Sequence, residues 1–236
     1  MASWTQDLLM RLSQARSVEA AFEQIDAGAR QLGFECCAYG VRLPSSFTRP
    51  KTLIFSSYPP SWRERYAKAG YLNVDPTVAH GIRSLQPLVW SDRLFCCAPQ
   101  MWDEARSFGL RVGWAQSCFD AQGRIGMLSL SRSCDRLGRM ELLAHDHLLR
   151  WLVNTAHLAL TMQLGEHQCP SIEPLTPRQI EVLRWTADGK TSEEIAAILA
   201  ISARTVNFHI RNAIANLRVN NRNSAIARSS RLGILD

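Results

Sequence analysis

The 236-residue sequence lacks the long apolar runs that would place it in a membrane. No stretch approaches the roughly 20 apolar residues that a transmembrane helix needs. The N-terminus carries Asp7 and Arg11 among scattered apolar residues, which is not the pattern of a secretory signal peptide. We therefore expect a cytoplasmic protein without a membrane partner.

Cysteine usage argues against two further classes of protein, those held together by disulfides and those that bind zinc. The chain has seven cysteines, with adjacent pairs at Cys36, Cys37 and Cys96, Cys97 but no C-x-x-C spacing. An odd count without that spacing argues against both a disulfide framework and a zinc site. We expect reduced thiols, no metal and no cofactor.

The motifs of enzymes and of phosphorylated receiver domains are also missing. Ser129, His80, Asp75 and Cys118 could be nominated for catalysis, yet no G-x-S-x-G elbow or metal-ligand spacing supports them. The N-terminal part has no early acidic cluster followed by a phosphoacceptor Asp and a Lys. We therefore expect a protein that is not an enzyme.

The composition that remains is that of a globular protein with room for two domains. Hydrophobic residues make up 46% and charged residues 20% of the chain, and the formal net charge is +6. A segment rich in Gly, Pro and polar residues, GEHQCPSIEP, predicts a linker over 165–174. It divides the chain into residues 1–164 and 175–236, with basic residues denser in the second part.

The C-terminal part predicts three capped helices in succession. Thr176, Pro177 and Gln179 form a helix start with a capping box, and Gly189 ends that helix. The expected core of this helix is Ile180, Leu183 and Trp185 or Ala187. Thr191 or Ser192 caps the second helix, and Ser202 caps the third. In the third helix the buried stripe is expected at Val206, Ile210, Ala213 and Leu217.

The opposite face of the third helix has the chemistry of major-groove readout. It is centred on Phe208 and includes Arg204, Arg211, Asn212 and Ala215. Arg can bond a guanine edge, Asn can pair with adenine, and an apolar side chain can meet a thymine methyl. The flanking side chains are better placed for phosphates: Thr205, Asn207 and His209. A plain solvated face is the alternative, but three capped helices in sequence favour a helix-turn-helix that binds DNA.

The N-terminal part predicts a mixed α and β domain. We expect helices at 8–12, 18–32, 62–69, 101–108 and 137–164, and strands from Phe34 and from Lys51 around a Pro-bearing loop. VGWAQSCF from Val112 and IGMLSLS from Ile125 predict an antiparallel pair near the middle of a sheet. The last helix has more apolar positions than one narrow stripe against the sheet would need. We therefore expect part of this helix to cover the sheet and part to be available to pair with a second chain.

An aromatic and polar constellation fills the middle of this domain: Tyr58, Trp62, Tyr66, Asp75, Trp90 and Trp102. Trp62 and Tyr66 are one helical turn apart and share a face. A carboxylate near Trp and Tyr suits a ligand with amide and carbonyl groups and an apolar tail. The alternative is that the aromatic residues are core and that Asp75, followed by Pro76, only caps a helix.

Two sets of motifs resemble the LuxR family of bacterial transcription regulators. In the C-terminal part they are LTPR, EVL, W-x-A-x-GK, EIA, L-x-IS and TVNFH. In the N-terminal part YP-x2-W-x3-Y-x8-DP, VW, WDEA, GL-x-VG and G-x-LSLS are similar to the ligand-binding domain of acyl-homoserine-lactone quorum-sensing receptors. FTRPKT and WSDRLF look most like the RhlR branch. The resemblance covers nearly the whole chain.

The resemblance implies a fold and a set of roles. The expected fold is α+β: an α/β/α sandwich with an antiparallel sheet, followed by an all-α helix-turn-helix domain of four helices, the last at about 224–231. Trp62 would donate to the lactone carbonyl, Asp75 would accept the amide N–H, and Tyr58 and Ser129 would bond the acyl carbonyl. The remaining positions would line the pocket around the lactone ring and the acyl tail of the ligand: Tyr66, Trp90, Trp102, Ala105 and Gly113.

The resemblance also implies partners and a mechanism. A homodimer would bind an N-acyl-homoserine lactone and an inverted-repeat promoter site, and would act on RNA polymerase, usually as an activator. The alternatives are a ligand-independent DNA-binding regulator and an enzyme that hydrolyses the lactone, which is the enzyme hypothesis left to exclude. Three residues depart from the family pattern: Gln179 replaces Glu, Asn216 replaces a Lys that contacts phosphate, and Ala115 replaces a Thr or Ser that contacts the ligand.

Overall fold

The computed structural model describes residues 2–43, 51–164 and 173–235. They form two compact units, built mainly from the residues before 165 and from those after 172. The predicted linker lies outside the described residues except for Glu173 and Pro174, and so does the Pro-bearing loop at 44–50.

A five-stranded sheet forms the centre of the first unit. Its strands are β1 (Cys36–Leu43), β2 (Lys51–Ser56), β3 (Leu88–Val89), β4 (Val112–Phe119) and β5 (Ile125–Arg132). They lie in the order β2-β1-β5-β4-β3, and β5 pairs antiparallel with both β1 and β4. The predicted pair of strands β4 and β5 is therefore confirmed at the middle of the sheet, whereas the two-residue strand β3 was not predicted.

The register of β4 and β5 divides the sheet into two faces. Ser129 lies opposite Ala115 on one side and Ala38 on the other, and directly opposed residues share a face. Alternate residues of each strand point the same way. The face that carries Ser129, which we call the pocket face, also carries these residues: Gly113, Ala115, Ser117, Met127 and Ser131.

Helices cover both faces. Against the face that carries Leu128 and Leu130 packs α6 (Arg139–Leu164), α2 (Val18–Gln31) packs on α6, and α1 (Ala2–Gln14) packs on α2. Over the pocket face lie α3 (Pro60–Lys68), α4 (Pro76–Gly81), α5 (Pro99–Ser107) and two 3-10 turns, Tyr71–Asn73 and Leu94–Cys97. The predicted α/β/α sandwich is confirmed. Helix α4 and the two turns are too short for a periodic pattern to reveal them.

The 26-residue helix α6 buries one side and exposes apolar residues on the other. Leu152, Val153 and Ala156 are fully buried, whereas the side chains of Leu158 and Met162 are 60% and 77% exposed. Within the described ranges no helix has the length and apolar character needed to cross a bilayer.

The second unit consists of four helices, as expected. These are α7 (Pro177–Ala187), α8 (Ser192–Leu199), α9 (Ala203–Asn216) and α10 (Arg222–Arg231). The predicted capping box of α7 is present, because Gln179 Oε1 accepts from Thr176 N at 2.8 Å and Thr176 Oγ1 accepts from Gln179 N at 3.3 Å. Thr191 caps α8, and Ser202 caps α9. The last helix begins two residues before the expected Ser224.

Two buried clusters hold these helices together. One is built on Val182, Ile195, Val206 and Ile210. The other contains Leu183, Ala213, Leu217 and Ala225. All four predicted stripe residues of α9 are buried, so that prediction is confirmed.

The predicted core of α7 is partly wrong. Leu183 is buried as expected, but its buried neighbour is Val182, while Ile180 and Trp185 are half-buried and Ala187 is exposed. The cause is that α7 contacts both α9 and α10, so two adjacent residues face two different clusters.

Candidate functional site

One half of the candidate ligand site is an aromatic cluster around Trp62. The indole of Trp62 is 3% exposed, and its centroid lies 5.8 Å from that of Tyr66 in an edge-on arrangement. Tyr71 and Phe108 lie 5.9 and 5.6 Å from the same indole. Such contacts fix the ring planes as well as bury area. The cluster therefore holds Trp62 and Tyr66 in one orientation.

The other half is built around Trp102. Its indole stacks on Phe95 with centroids 4.4 Å apart, and Trp90 packs edge-on against both rings. Trp102 Nε1 donates to Asp92 Oδ1 at 2.6 Å. Because this N–H is already used, Trp102 offers a ligand its ring and not a hydrogen bond. Ala105, which is buried, belongs to the same hydrophobic cluster.

Trp90 lies directly on the sheet at Gly113. A Cβ atom on Gly113 would overlap the indole ring of Trp90 at three atoms. Only glycine leaves room for this contact, because it has no side chain. Gly113 therefore sets the height of Trp90 above the pocket face.

Asp75 has two roles in the fold. As the N-cap of α4, its Oδ1 accepts from Thr77 N at 2.8 Å and from Thr77 Oγ1 at 2.7 Å. Its Oδ2 accepts from the Tyr66 hydroxyl at 2.9 Å. The interpretation of Asp75 as a helix cap is therefore confirmed. The bond from Tyr66 also connects the carboxylate to the aromatic cluster. Oδ2 keeps capacity for one more donor.

Burial shapes the ionisation of these groups. Burial raises the pKa of Asp75, and the bonds from Thr77 and Tyr66 oppose that rise. Burial also raises the pKa of Tyr66, and the neighbouring Asp75 carboxylate adds to the shift. Both tyrosine hydroxyls of the site, Tyr58 and Tyr66, therefore remain protonated donors near neutral pH.

Several buried polar atoms on this side of the sheet have no hydrogen-bond partner among the described residues. They are Tyr58 Oη, Trp90 Nε1, Ser117 Oγ and Ser131 Oγ. Buried polar groups are nearly always paired, and an unpaired one costs about 1–3 kcal/mol. Two of the four lie around Gly113, since the Trp90 ring packs on it and Ser131 is its cross-strand partner, and unpaired groups of this kind are expected where a polar ligand binds.

All nine ligand residues predicted from the sequence lie on one side of the sheet. Trp62, Trp102 and Ala105 belong to a single cluster, with Tyr58, Tyr66 and Trp90 packed against it. Asp75 adjoins the cluster through Tyr66 and Gly113 adjoins it through Trp90, while Ser129 lies on the pocket face of β5. Ala115 lies opposite Ser129 and supplies no polar group there.

The sequence reasoning missed several members of the site. Thr77 follows Asp75 at the spacing of an N-cap bond, so the capping rule could have found it. Tyr71, Phe95 and Asp92 reach the cluster from turns, and no local spacing reveals that. Arg65 was also missed; its Nε and Nη2 each lie 2.7 Å from Glu104, joining α3 to α5.

The candidate nucleic-acid interface lies on α9. Arg204 and Arg211 are exposed, and Phe208 between them is 53% exposed. Asn212 is half-buried, and so are two of the predicted flanking residues, Thr205 and His209.

Two flanking residues of α9 make contacts of their own. Asn207 Oδ1 accepts from Ser192 Oγ at 2.9 Å, and Thr205 Oγ1 pairs with Ser202 Oγ at 2.8 Å. These bonds hold Asn207 against the first turn of α8 and Thr205 at the start of α9. The exposed side chains therefore project from a helix whose position is fixed by its caps and core.

Comparisons with known proteins agree with this geometry. Residues 17–160 match the autoinducer binding domain, and residues 173–229 match the luxR family of bacterial regulatory proteins. The chain is 44% identical to transcriptional activator protein AnoR of Acinetobacter nosocomialis, with 100% of both chains covered. It is 36% identical to the quorum-sensing regulator RhlR of Pseudomonas aeruginosa, covering 98% of this chain and 96% of RhlR.

A solved structure extends the agreement to the fold. The crystal structure of Escherichia coli SdiA matches with a TM-score of 0.83 at 32% identity, covering 99% of this chain and 98% of SdiA. The family expected from the sequence is thus confirmed, with RhlR among the relatives. The chain belongs to the LuxR family of bacterial transcription regulators, with an autoinducer-binding domain and a helix-turn-helix DNA-binding domain, and it is not an enzyme.

Proposed function

We propose that the protein binds an N-acyl-homoserine lactone and, as a homodimer, binds an inverted-repeat promoter site to activate transcription. The observation that carries the ligand assignment is the Asp75 carboxylate, bonded to Tyr66 of the aromatic cluster, on the same side of the sheet as buried hydroxyl and indole groups that have no partner among the described residues. A lactone joined by an amide to an acyl chain presents one N–H and two carbonyl oxygens. This donor and acceptor set complements the side chains present.

Each predicted ligand residue has a role in this proposal. Trp62 donates to the lactone carbonyl, Asp75 accepts the amide N–H at the free capacity of Oδ2, and Tyr58 and Ser129 bond the acyl carbonyl. Aromatic and small side chains line the pocket around the lactone ring and the acyl tail: Tyr66, Trp90, Trp102, Ala105 and Gly113. The buried, unpaired hydroxyl of Tyr58 supports this assignment, because the acyl carbonyl of the ligand supplies the partner that it lacks.

Ligand binding then couples to folding. Without ligand the unpaired polar atoms oppose burial, at about 1–3 kcal/mol each. A ligand that binds only the folded state stabilises that state by mass action. Signal concentration would thereby control the amount of folded, DNA-binding protein.

Residues 1–164 form the ligand-binding and dimerisation domain in this proposal, 165–174 the linker and 175–236 the DNA-binding domain. The protein acts in the cytoplasm and contacts RNA polymerase at the promoter. Recognition helices of the two subunits enter successive major grooves of one face of the duplex, so a two-fold dimer requires an inverted repeat.

Arg211→Ala tests the recognition face. Arg211 is exposed on α9, next to the half-buried Asn212. If it bonds a guanine edge, its loss costs about 1–3 kcal/mol at one base pair. We expect weaker binding to the specific site and little change on random DNA of equal length, measured by fluorescence anisotropy at fixed salt. An equal loss on both DNAs would assign Arg211 to a phosphate instead.

Leu158→Glu tests the dimer. Met140 and Leu158 are separated by a whole number of helical turns and lie on the same exposed face of α6, with Met162 close by. An apolar stripe of this kind marks an interaction surface. We expect the buried charge to shift the protein from dimer to monomer in analytical ultracentrifugation. Ile82→Glu is the control, because Ile82 is an apolar residue after α4 that is also exposed, at 46%, and the change should leave the dimer intact.

A further inference from the structure

An ion pair links two helices that contribute walls of the pocket. Arg65 of α3 and Glu104 of α5 meet in a fork: Arg65 Nε donates to Glu104 Oε2 and Arg65 Nη2 donates to Glu104 Oε1, each at 2.7 Å. Two parallel bonds of this kind fix the relative orientation of both groups. Of the hydrogen bonds that the described residues form, these two alone join α3 to α5.

Each partner of the pair adjoins a residue of the pocket. Arg65 directly precedes Tyr66, and Glu104 directly precedes Ala105. The guanidinium carbon of Arg65 lies 5.7 Å from the centroid of the Tyr71 ring, and that centroid lies 5.9 Å from the centroid of Tyr66. A movement of α3 away from α5 therefore breaks the ion pair, and it separates pocket residues that the two helices carry.

The pocket is closed where the two helices meet. Trp62 of α3 is buried, and so are Trp102 and Ala105 of α5. A ligand reaches such a site only when part of its wall moves, because protein interiors are close-packed. The sheet is the rigid part, since β4 and β5 pair along their whole length. The helices over it are held by side chains, so they are the part of the wall that can open.

We propose that the Arg65–Glu104 pair is a clamp on the pocket: α3 and α5 part when the pair breaks, and this step sets the rates at which the ligand enters and leaves. Arg65 and Glu104 are positioning residues in this role, because neither contacts the ligand. The inference rests on the proposed function, since it concerns the passage of the lactone. The pair closes the free and the occupied pocket alike, so it raises the barrier between them without favouring either.

A contribution to stability alone is the competing explanation. The side chains of Arg65 and Glu104 are 39% and 26% exposed, and ion pairs at such sites contribute little to the free energy of unfolding. The two explanations differ in what they predict for binding. Loss of a clamp accelerates entry and exit by the same factor and leaves the dissociation constant unchanged, whereas a distorted pocket binds the ligand more weakly.

The test measures ligand exit and affinity for the full-length wild type, Glu104→Gln and Arg65→Lys. The probe is an N-acyl-homoserine lactone retained by the wild type. Exit is followed as exchange of the bound lactone for an excess of its tritium-labelled form, and the dissociation constant is measured by titration calorimetry. Exit from Glu104→Gln should be roughly threefold to tenfold faster, with a dissociation constant within about twofold of the wild type. Arg65→Lys keeps the charge but loses the fork, so its exit should accelerate less.

Asp146→Asn is the matched control. Asp146 pairs with Arg150 at 2.8 Å and is similarly exposed, but both residues lie on α6, so this pair joins no two walls of the pocket. The change should leave exit and affinity as in the wild type. Salt tests the clamp without a substitution, because the lactone is uncharged. At about 1 M salt, where the Debye length is about 3 Å, exit from the wild type should accelerate towards that of Glu104→Gln, whose own rate should not change.

Two results would overturn the inference. One is unchanged exit from Glu104→Gln, and the other is a dissociation constant that rises as steeply as the exit rate. If Glu104→Gln does not fold, Arg65→Lys and the salt dependence of the wild type decide the question, and the absence of both accelerations overturns the clamp. Failure of the wild type to bind any lactone would instead overturn the proposed function, and that affinity is measured first.

Discussion

Asp75→Asn should reduce lactone affinity by roughly tenfold to a hundredfold or more, and should abolish promoter activation at signal concentrations that saturate the wild type. The carboxylate forms a charge-assisted bond with the ligand amide in this account, and such bonds are about twice as strong as neutral ones. The asparagine keeps the shape and an oxygen for the Thr77 cap, so α4 should still form. Affinity is measured by titration calorimetry, and activation by a promoter fusion.

Thr77→Val separates the two roles of Asp75. Thr77 Oγ1 donates to the carboxylate oxygen that caps α4, so its loss perturbs the cap without removing the negative charge. We expect a smaller loss of lactone affinity than for Asp75→Asn. If Asp75→Asn activates the promoter with the same dose response as the wild type, the regulator is independent of the ligand and the receptor assignment is wrong.

Gly113→Ala should lower lactone affinity by roughly tenfold to a hundredfold, because the added methyl group must displace Trp90 from the sheet. Trp90 packs edge-on against Phe95 and Trp102, so its movement opens the wall that the three rings form. The expected readouts are weaker binding by calorimetry and a change in tryptophan fluorescence.

Gly40→Ala is the matched control for Gly113→Ala. Gly40 also lies in the sheet, on β1, but a Cβ atom there would meet nothing within 4 Å. It should bind lactone as the wild type does. Equal affinity for the wild type and Gly113→Ala would show that the position of Trp90 is irrelevant to the ligand.

The C-terminal unit could be predicted largely from sequence because its determinants are local. Caps such as Thr176 with Gln179, and Ser202, act within one helical turn. The α9 stripe follows from helical spacing alone. Helix α7 was less predictable, since Val182 and Leu183 are sequence neighbours that face different clusters. Which residues a helix buries depends on how many partners it has, and one sequence does not reveal that number.

Only part of the ligand site could be predicted from the sequence. Local spacing placed Trp62 with Tyr66, but it could not distinguish a pocket from a packed core, and only the family resemblance favours the pocket. The contributions of Tyr71, Phe95 and Asp92 come from turns brought together by the sheet, so they depend on long-range contacts. Ser131 shows the limit most clearly, because neither its burial nor its missing partner can be read from an alternating strand pattern.

The central claim is that an acyl-homoserine lactone occupies the pocket of this regulator. The most direct test is mass spectrometry of organic extracts from protein expressed with a panel of such lactones, from short to long acyl chains, alongside the soluble yield with each. We predict that one intact lactone is selectively retained in near-equimolar amount, raises the soluble yield and is absent from Asp75→Asn. Retention of no lactone, with an unchanged yield across the panel, would contradict the claim.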